Sequence, residues 1–434
     1  TVSTSEGQIA IAPGYLQKDW VAGNRHYFQY KMDSPILNFY SYLSADYMVK
    51  RDKWKDVNIE IYYQKGHEYN LDRMINSVKK SLDYYTTNFG PYQHRQVRIL
   101  EFPRYQSFAQ SFPNTIPFSE SIGFIAKVDN KAHDKIDIPF YVTAHEVAHQ
   151  WWAHQVIGGN VQGSTLMSET MAQYSALMVM EKEYGAQNMK KFLKLEMDKY
   201  LIGRTQEKKA EMPLMLGENQ QYIHYNKGSV IMYAMKDYLG ENVLNGAIRQ
   251  YLNKVKFQEP PYTNSVEFVN YLKAATPDSL KYIIHDMFET ITLYENYVQH
   301  LDYTKLSDGK YKVTLTVGSV KFRSDSTGVT TKVPEADYID IGVFAANDKD
   351  SKILGKPLVF EKLKITKPLQ TFEFVVDEKP AVAGIDPYNK LIDRTPDNNT
   401  WKFGSQPPTV NTDVKKGSGN VTIKVGGGKK DDDE

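Results

Sequence analysis

The stretch Thr143-Ala-His145-Glu146-Val-Ala-His149-Gln-Trp151-Trp152 constrains this chain more than any other. If it is helical, residues four apart share a face, so His145 and His149 bring two imidazoles to one point. Glu146 lies about 100° further round, close enough for its carboxylate to reach a water held there. Neutral nitrogen donors beside a carboxylate base are what a hydrolytic zinc site requires. Two histidines at this spacing also occur as a plain solvated pair, so the rest of the chain must decide between the two.

The 434 residues include no cysteine. Disulfides, thiolate metal sites and cysteine nucleophiles are thereby excluded, and any metal must be held by His, Asp or Glu. A formal net charge of +1, with no basic cluster, argues against a charge-driven nucleic-acid or membrane-surface protein. No run of about eighteen apolar residues reads as a membrane span. The chain starts at Thr1 without a basic and apolar leader, and reads as a processed or excised piece of a longer protein.

Residues 1–13 are small and polar and read as a linker. Alternating apolar and polar positions then predict strands at Tyr27–Tyr30, Leu37–Leu43 and Val57–Tyr63. Leu71, Met74, Ile75, Val78, Leu82 and Tyr85 give a helix one buried face, with Asn70 as its cap and Gly90-Pro91 as its stop. Val97–Phe102 reads as a short strand and Phe124–Val128 as an edge strand. Asp137 and Pro139 mark the start of the histidine helix, which should end before Gly158-Gly159. Ser164 or Thr165 caps a following helix that runs to Tyr184, and more helices follow to residue 290. Beyond Tyr294 the texture changes to short alternating runs, which predict a small all-β domain. From Trp401 the chain is poor in apolar residues and ends in Gly426-Gly-Gly-Lys-Lys-Asp-Asp-Asp-Glu434, which reads as a disordered tail.

Two histidines need a further ligand, and a carboxylate on the next helix is the usual partner. Glu169 is the leading candidate, because a turn at Gly158-Gly159 would let the two helices lie antiparallel. Read alone, Glu169 would be an ordinary glutamate favoured by a helix N-terminus.

Together, His145-Glu-Val-Ala-His-Gln-Trp-Trp152 and Leu166-Met-Ser-Glu169-Thr-Met-Ala-Gln-Tyr174 resemble the M1 family of zinc aminopeptidases, which are gluzincins. Tyr225-Asn-Lys-Gly228 is similar to that family's Tyr-x-Lys-Gly, whose tyrosine donates a hydrogen bond to the developing oxyanion. Asn88–Tyr92 and Ile385–Arg394 also look like family segments, so the resemblance covers about residues 20–395. It is narrower still towards proteins in which an ABC-2 type membrane permease is joined to an M1-like peptidase. That implies peptide substrates, a permease portion in a longer parent, and a soluble fragment of a membrane-tethered protein.

The sequence departs from the family at three places. Positions 150–168 separate His149 from Glu169, one residue more than the family usually has, and the Gly158–Gly163 loop can take up the extra one. Ser168 and Thr170 replace the Asn and Gly that flank the glutamate. The exopeptidase signature Gly-x-Met-Glu-Asn survives only as Pro117-Phe-Ser-Glu120-Ser121, which alters the backbone edge along which a peptide would lie.

The resemblance implies an α+β multidomain chain. Residues 1–66 would end an N-terminal β domain, and 67–296 would form a thermolysin-like α/β zinc peptidase domain with a helical subdomain. Residues 297–400 would form a small β-sandwich and 401–434 the disordered tail. Zinc would sit on His145, His149 and Glu169, with Glu146 as general base, Tyr225 at the oxyanion and Glu120 on the substrate's free amine. Two rivals share these residues: an endo- or oligopeptidase on the same site, and a non-hydrolytic zinc-binding capture module of a transporter. Pure capture would need neither Glu146 nor Tyr225.

Overall fold

The computed structural model describes residues 1–129, 135–347 and 353–408. Its first strands are β1 (Val2–Ser5), β2 (Ile9–Ile11), β3 (Tyr15–Ala22), β4 (Arg25–Lys31) and β5 (Leu43–Ala45). They form a sheet of order β1-β4-β3 and a separate β2-β5 pair. The expected linker at 1–13 is therefore largely strand. Ile11 buries against Tyr47, Tyr62 and Leu100, a contact too short in sequence to leave a period. Of the strand expected at Leu37–Leu43 only Leu43 is in a ladder; its alternation reflects Phe39, Tyr40 and Tyr42, which stand exposed.

The sheet that positions the site follows, with β6 (Met48–Trp54), β7 (Val57–Tyr63), β8 (Gln96–Phe102) and β9 (Thr115–Ser119) in that order. β6 and β7 are antiparallel, whereas β7, β8 and β9 run parallel. The sheet thus crosses the line drawn at residue 66. β8 is buried at every position, as expected for a strand covered on both faces. Helix α1 (Leu71–Asn88) makes the crossover from β7 to β8. Its predicted cap works differently, because the Asn70 side chain donates to the carbonyls of Gly123 (2.7 Å) and Ala126 (2.8 Å). Those bonds hold 123–126 against α1, and the parallel edge strand is β9 rather than 124–128.

Helix α2 (Ile138–Ala148) starts as predicted, with the Asp137 carboxylate accepting from the Phe140 N–H at 3.1 Å. Then come α3 (Met171–Tyr184), α4 (Met189–Gln206), α5 (Gly228–Leu239), α6 (Glu241–Val255), α7 (Ser265–Ala275) and α8 (Lys281–Ile284). Three of them adjoin π-turns: Leu166–Thr170 leads into α3, Tyr222–Lys227 leads into α5, and His285–Glu289 follows α8.

The C-terminal strands are β10 (Ile291–Lys305), β11 (Tyr311–Ser324), β12 (Thr330–Lys332), β13 (Asp337–Phe344), β14 (Pro357–Ile365), β15 (Leu369–Val376), β16 (Val382–Ile385) and β17 (Thr400–Lys402). They form two four-stranded antiparallel sheets, one in which β11 joins β10, β12 and β15, and one of order β14-β13-β16-β17. Val313, Leu315 and Val317 of one sheet share a core with Ile339, Ile341 and Val343 of the other. β10 begins six residues before the expected boundary at 297. β17 pairs with β16, so Trp401 and Lys402 belong to the sheet and not to a tail; the rest of the expected tail, from 409 onward, lies outside the described residues. Lys390 fastens this unit to α5, with its ammonium 2.5 Å from Asp237 and 2.7 Å from Asp340.

Candidate metal centre and active site

α2 is locked in place by its neighbours. The Tyr85 hydroxyl of α1 donates to the Ala144 carbonyl at 2.8 Å, and the Ser77 hydroxyl donates to that of Phe140 at 2.7 Å. Just beyond the helix, Trp151 and Trp152 are wholly buried. Their indole N–H groups donate to the Gly90 carbonyl (3.0 Å) and to the Ser175 hydroxyl on α3 (2.9 Å). The Trp-Trp pair therefore fixes the histidine helix to both α1 and α3.

On that helix His145 Nε2 and His149 Nε2 face each other at 3.0 Å. Glu169 Oε2 lies 3.4 Å from the first and 3.3 Å from the second. The edge of a tetrahedron around zinc, with bonds of about 2.0–2.2 Å, is about 3.3–3.6 Å, so the donor set fits such an ion. His149 Nδ1 faces the Trp152 carbonyl at 3.0 Å; donating there leaves Nε2 with its lone pair free for a metal. Glu169 Oε2 and Glu146 Oε2 are buried and lack a hydrogen-bond partner among the described residues, which suits a site built for a cation and a water.

The charges agree. Burial works to raise the Glu169 carboxyl, but His149 and His145 outweigh it and hold it well below the usual carboxylate range. Burial would likewise lower His149, yet Glu169 beside it pushes it up to about 9. Burial raises the Glu146 carboxyl, and the two histidines pull it back. The Tyr225 hydroxyl is pushed up by burial and by the Glu169 charge, so it stays a hydrogen-bond donor at neutral pH. Its ring lies 5.8 Å from that of His145.

Glu169 and Tyr225 both stand on π-turns, a local geometry frequent at functional sites. A π-turn holds more residues per turn than an α-helix, so the extra residue before Glu169 can be absorbed in the helix itself as well as in the loop. The two turns interlock. The Thr170 hydroxyl donates to the His224 carbonyl at 2.6 Å, and a Cβ on Gly228 would fall 2.5 Å from that hydroxyl. Gly228 thus allows the close approach that sets Tyr225 beside Glu169.

Glu120 is not among the groups that close on this cluster. It follows β9, with Oε1 3.6 Å from Arg104 Nε and Oε2 4.0 Å from His67 Nδ1. His67 in turn pairs with Glu101. His67, Glu101 and Glu120 bring donor atoms within 4.8 Å of one another, but Arg104 beside them makes this an ion-pair network. The outer edge of β9, expected to carry a peptide, is paired with the chain's own residues 108–112. The Ser119 N–H donates to Phe108 O and the Gln110 N–H to Pro117 O, both at 3.0 Å. Ser111 of this segment meets the proposed base: its hydroxyl donates to the Glu146 carbonyl at 2.8 Å, and its N–H lowers the Glu146 carboxyl. Sequence reading missed Ser111, because nothing local marks a serine 35 positions before Glu146 as its neighbour.

Two converging imidazoles, a converging carboxylate, a buried second carboxylate and a tyrosine define a candidate metal-dependent hydrolase. The comparisons with known proteins give the family. The Peptidase family M1 domain matches residues 73–289, half of the chain, and the chain belongs to that family. Human endoplasmic reticulum aminopeptidase 2 is 24% identical over 217 residues, covering 46% of this chain and 22% of its own length. Probable aminopeptidase 1 of Sulfurisphaera tokodaii is 27% identical over 195 residues, covering 42% and 24%. The chain therefore spans less than a quarter of these relatives' length. The solved structure of Legionella pneumophila aminopeptidase A in complex with aspartic acid shares the fold, with TM-score 0.56 and 14% identity over 90% of this chain and 43% of that one.

Proposed function

We propose that the chain is a zinc metallopeptidase of the aminopeptidase type, with His145, His149 and Glu169 holding the metal. The observation that carries this is the convergence of three donor atoms at 3.0–3.4 Å beside the Glu146 carboxylate and the Tyr225 ring. Zinc held there supplies a Lewis acid and a water that ionises near neutral pH. Glu146 takes a proton at its carboxylate as the water's oxygen joins the scissile carbonyl carbon. It then passes that proton to the leaving amine nitrogen as the C–N bond breaks. The Tyr225 hydroxyl donates to the oxygen on which negative charge develops. The release of N-terminal residues is supported by the aminopeptidase relatives, which match at 24–27% identity.

In this reading Glu120 accepts the substrate's α-ammonium, exchanging Arg104 and His67 for it. A tie to an ABC-2 type permease belongs to the same proposal and rests on sequence resemblance alone. No described helix is long and apolar enough to cross a membrane.

A panel of aminoacyl fluorogenic amides, each with an N-acetylated twin, tests the exopeptidase reading. A hydrogen bond to a charged group is worth about 1.5–3 kcal/mol, so acetylation should lower kcat/KM roughly 10–100-fold. Equal cleavage of both forms would make the chain an endopeptidase.

A further inference from the structure

Glu196 has no place in the chemistry above, yet it is only 1% exposed on α4. Burying a carboxylate is costly unless its oxygens are partnered, so its partners show what it is for. Oε2 accepts from the Asn226 side-chain amide at 2.6 Å. Oε1 accepts from the Tyr141 hydroxyl at 3.4 Å, and Lys199 Nζ stands 4.0 Å away. Both hydrogen-bond partners adjoin the site. Tyr141 is one helical turn before His145, on the same face of α2. Asn226 follows Tyr225 in the π-turn that leads into α5. One carboxylate therefore ties the helix of the metal ligands to the turn of the oxyanion tyrosine.

We propose that Glu196 is a positioning residue for Tyr225, clamping the Tyr225–Asn226 turn to α2 so that the phenol meets the reacting carbonyl. This rests on the reading of Tyr225 given above. A π-turn in isolation is a weakly held piece of helix, and the second fixing point is the Thr170 bond to His224 on its other side. Misplacement by about 1 Å can cost up to about a hundredfold in rate, so the clamp should be visible in kcat. A carboxylate that merely fills its place would affect stability without acting through Tyr225.

A double-mutant cycle on the full chain separates the two. Asn226→Ala removes the clamp at a half-buried position, and the expected result is a kcat lower by about 10–100-fold, KM within about threefold, and bound zinc unchanged. In a Tyr225→Phe background the same change should cost less than about twofold. Glu196→Gln keeps an acceptor for Asn226 and should hold kcat within about threefold of the parent, whereas Glu196→Leu should match Asn226→Ala. Equal losses in both backgrounds, or an Asn226→Ala chain as fast as the parent, would overturn the clamp while leaving the peptidase reading intact. An inactive parent would overturn both.

Discussion

Glu146→Gln should lower kcat by about 10²–10⁴-fold while the chain keeps its zinc. The amide is nearly isosteric with the carboxylate and cannot take up the proton that the attacking water must lose. Glu146 is 5% exposed, and Oε2 has no hydrogen-bond partner among the described residues, so no neighbour there is poised to replace it. The metal should stay because the three converging donors are His145, His149 and Glu169. KM should change little, since the loss falls on the step and not on substrate binding. Steady-state kinetics on one aminoacyl amide, with metal analysis of the same preparation, read both effects. Full activity with zinc retained would remove Glu146 from its role.

Glu169→Ala should act on the metal first. It takes away the carboxylate donor of the cluster and leaves the two imidazoles of His145 and His149. Losing a mere supporting partner of a metal ligand costs about 10–100-fold in affinity, and losing the ligand itself should cost more. Chelator competition should therefore show zinc affinity down by more than about a hundredfold, with activity near background at limiting zinc. High zinc should recover some of it, which Glu146→Gln would not allow. Unchanged affinity in Glu169→Ala would mean that the third donor lies elsewhere.

The centre of the site was legible in the sequence because its geometry is local. His145 and His149 share a helix face by spacing alone, and Glu169 needed only the expectation of a second helix packed on the first. The π-turns beneath Glu169 and Tyr225 were not legible, since apolar periodicity over a few residues does not separate a π-turn from an α-turn. Glu196 reads as one more helix glutamate, and only the packing of α4 makes it buried. Ser111 and the cover over the β9 edge depend on a chain reversal that no period marks. β1 and β2 were lost for a related reason: they span four and three residues, too few to show alternation, while β3 is exposed at every position after Tyr15 and so has no apolar alternation to read. Glu120 was the reverse case, marked in the sequence by the remnant of a motif, but partnered in the structure by Arg104 and His67, charges that no motif predicts.

Peptide hydrolysis by this chain requires the three-donor cluster to be a working zinc site. The direct test is metal stoichiometry and aminoacyl-amide hydrolysis on one preparation, before chelation, after it, and after zinc is returned. The expected result is one zinc per chain, loss of cleavage with the metal, and recovery on its return. A chain that takes up no zinc, or cleavage that persists undiminished after the metal is removed, would contradict it.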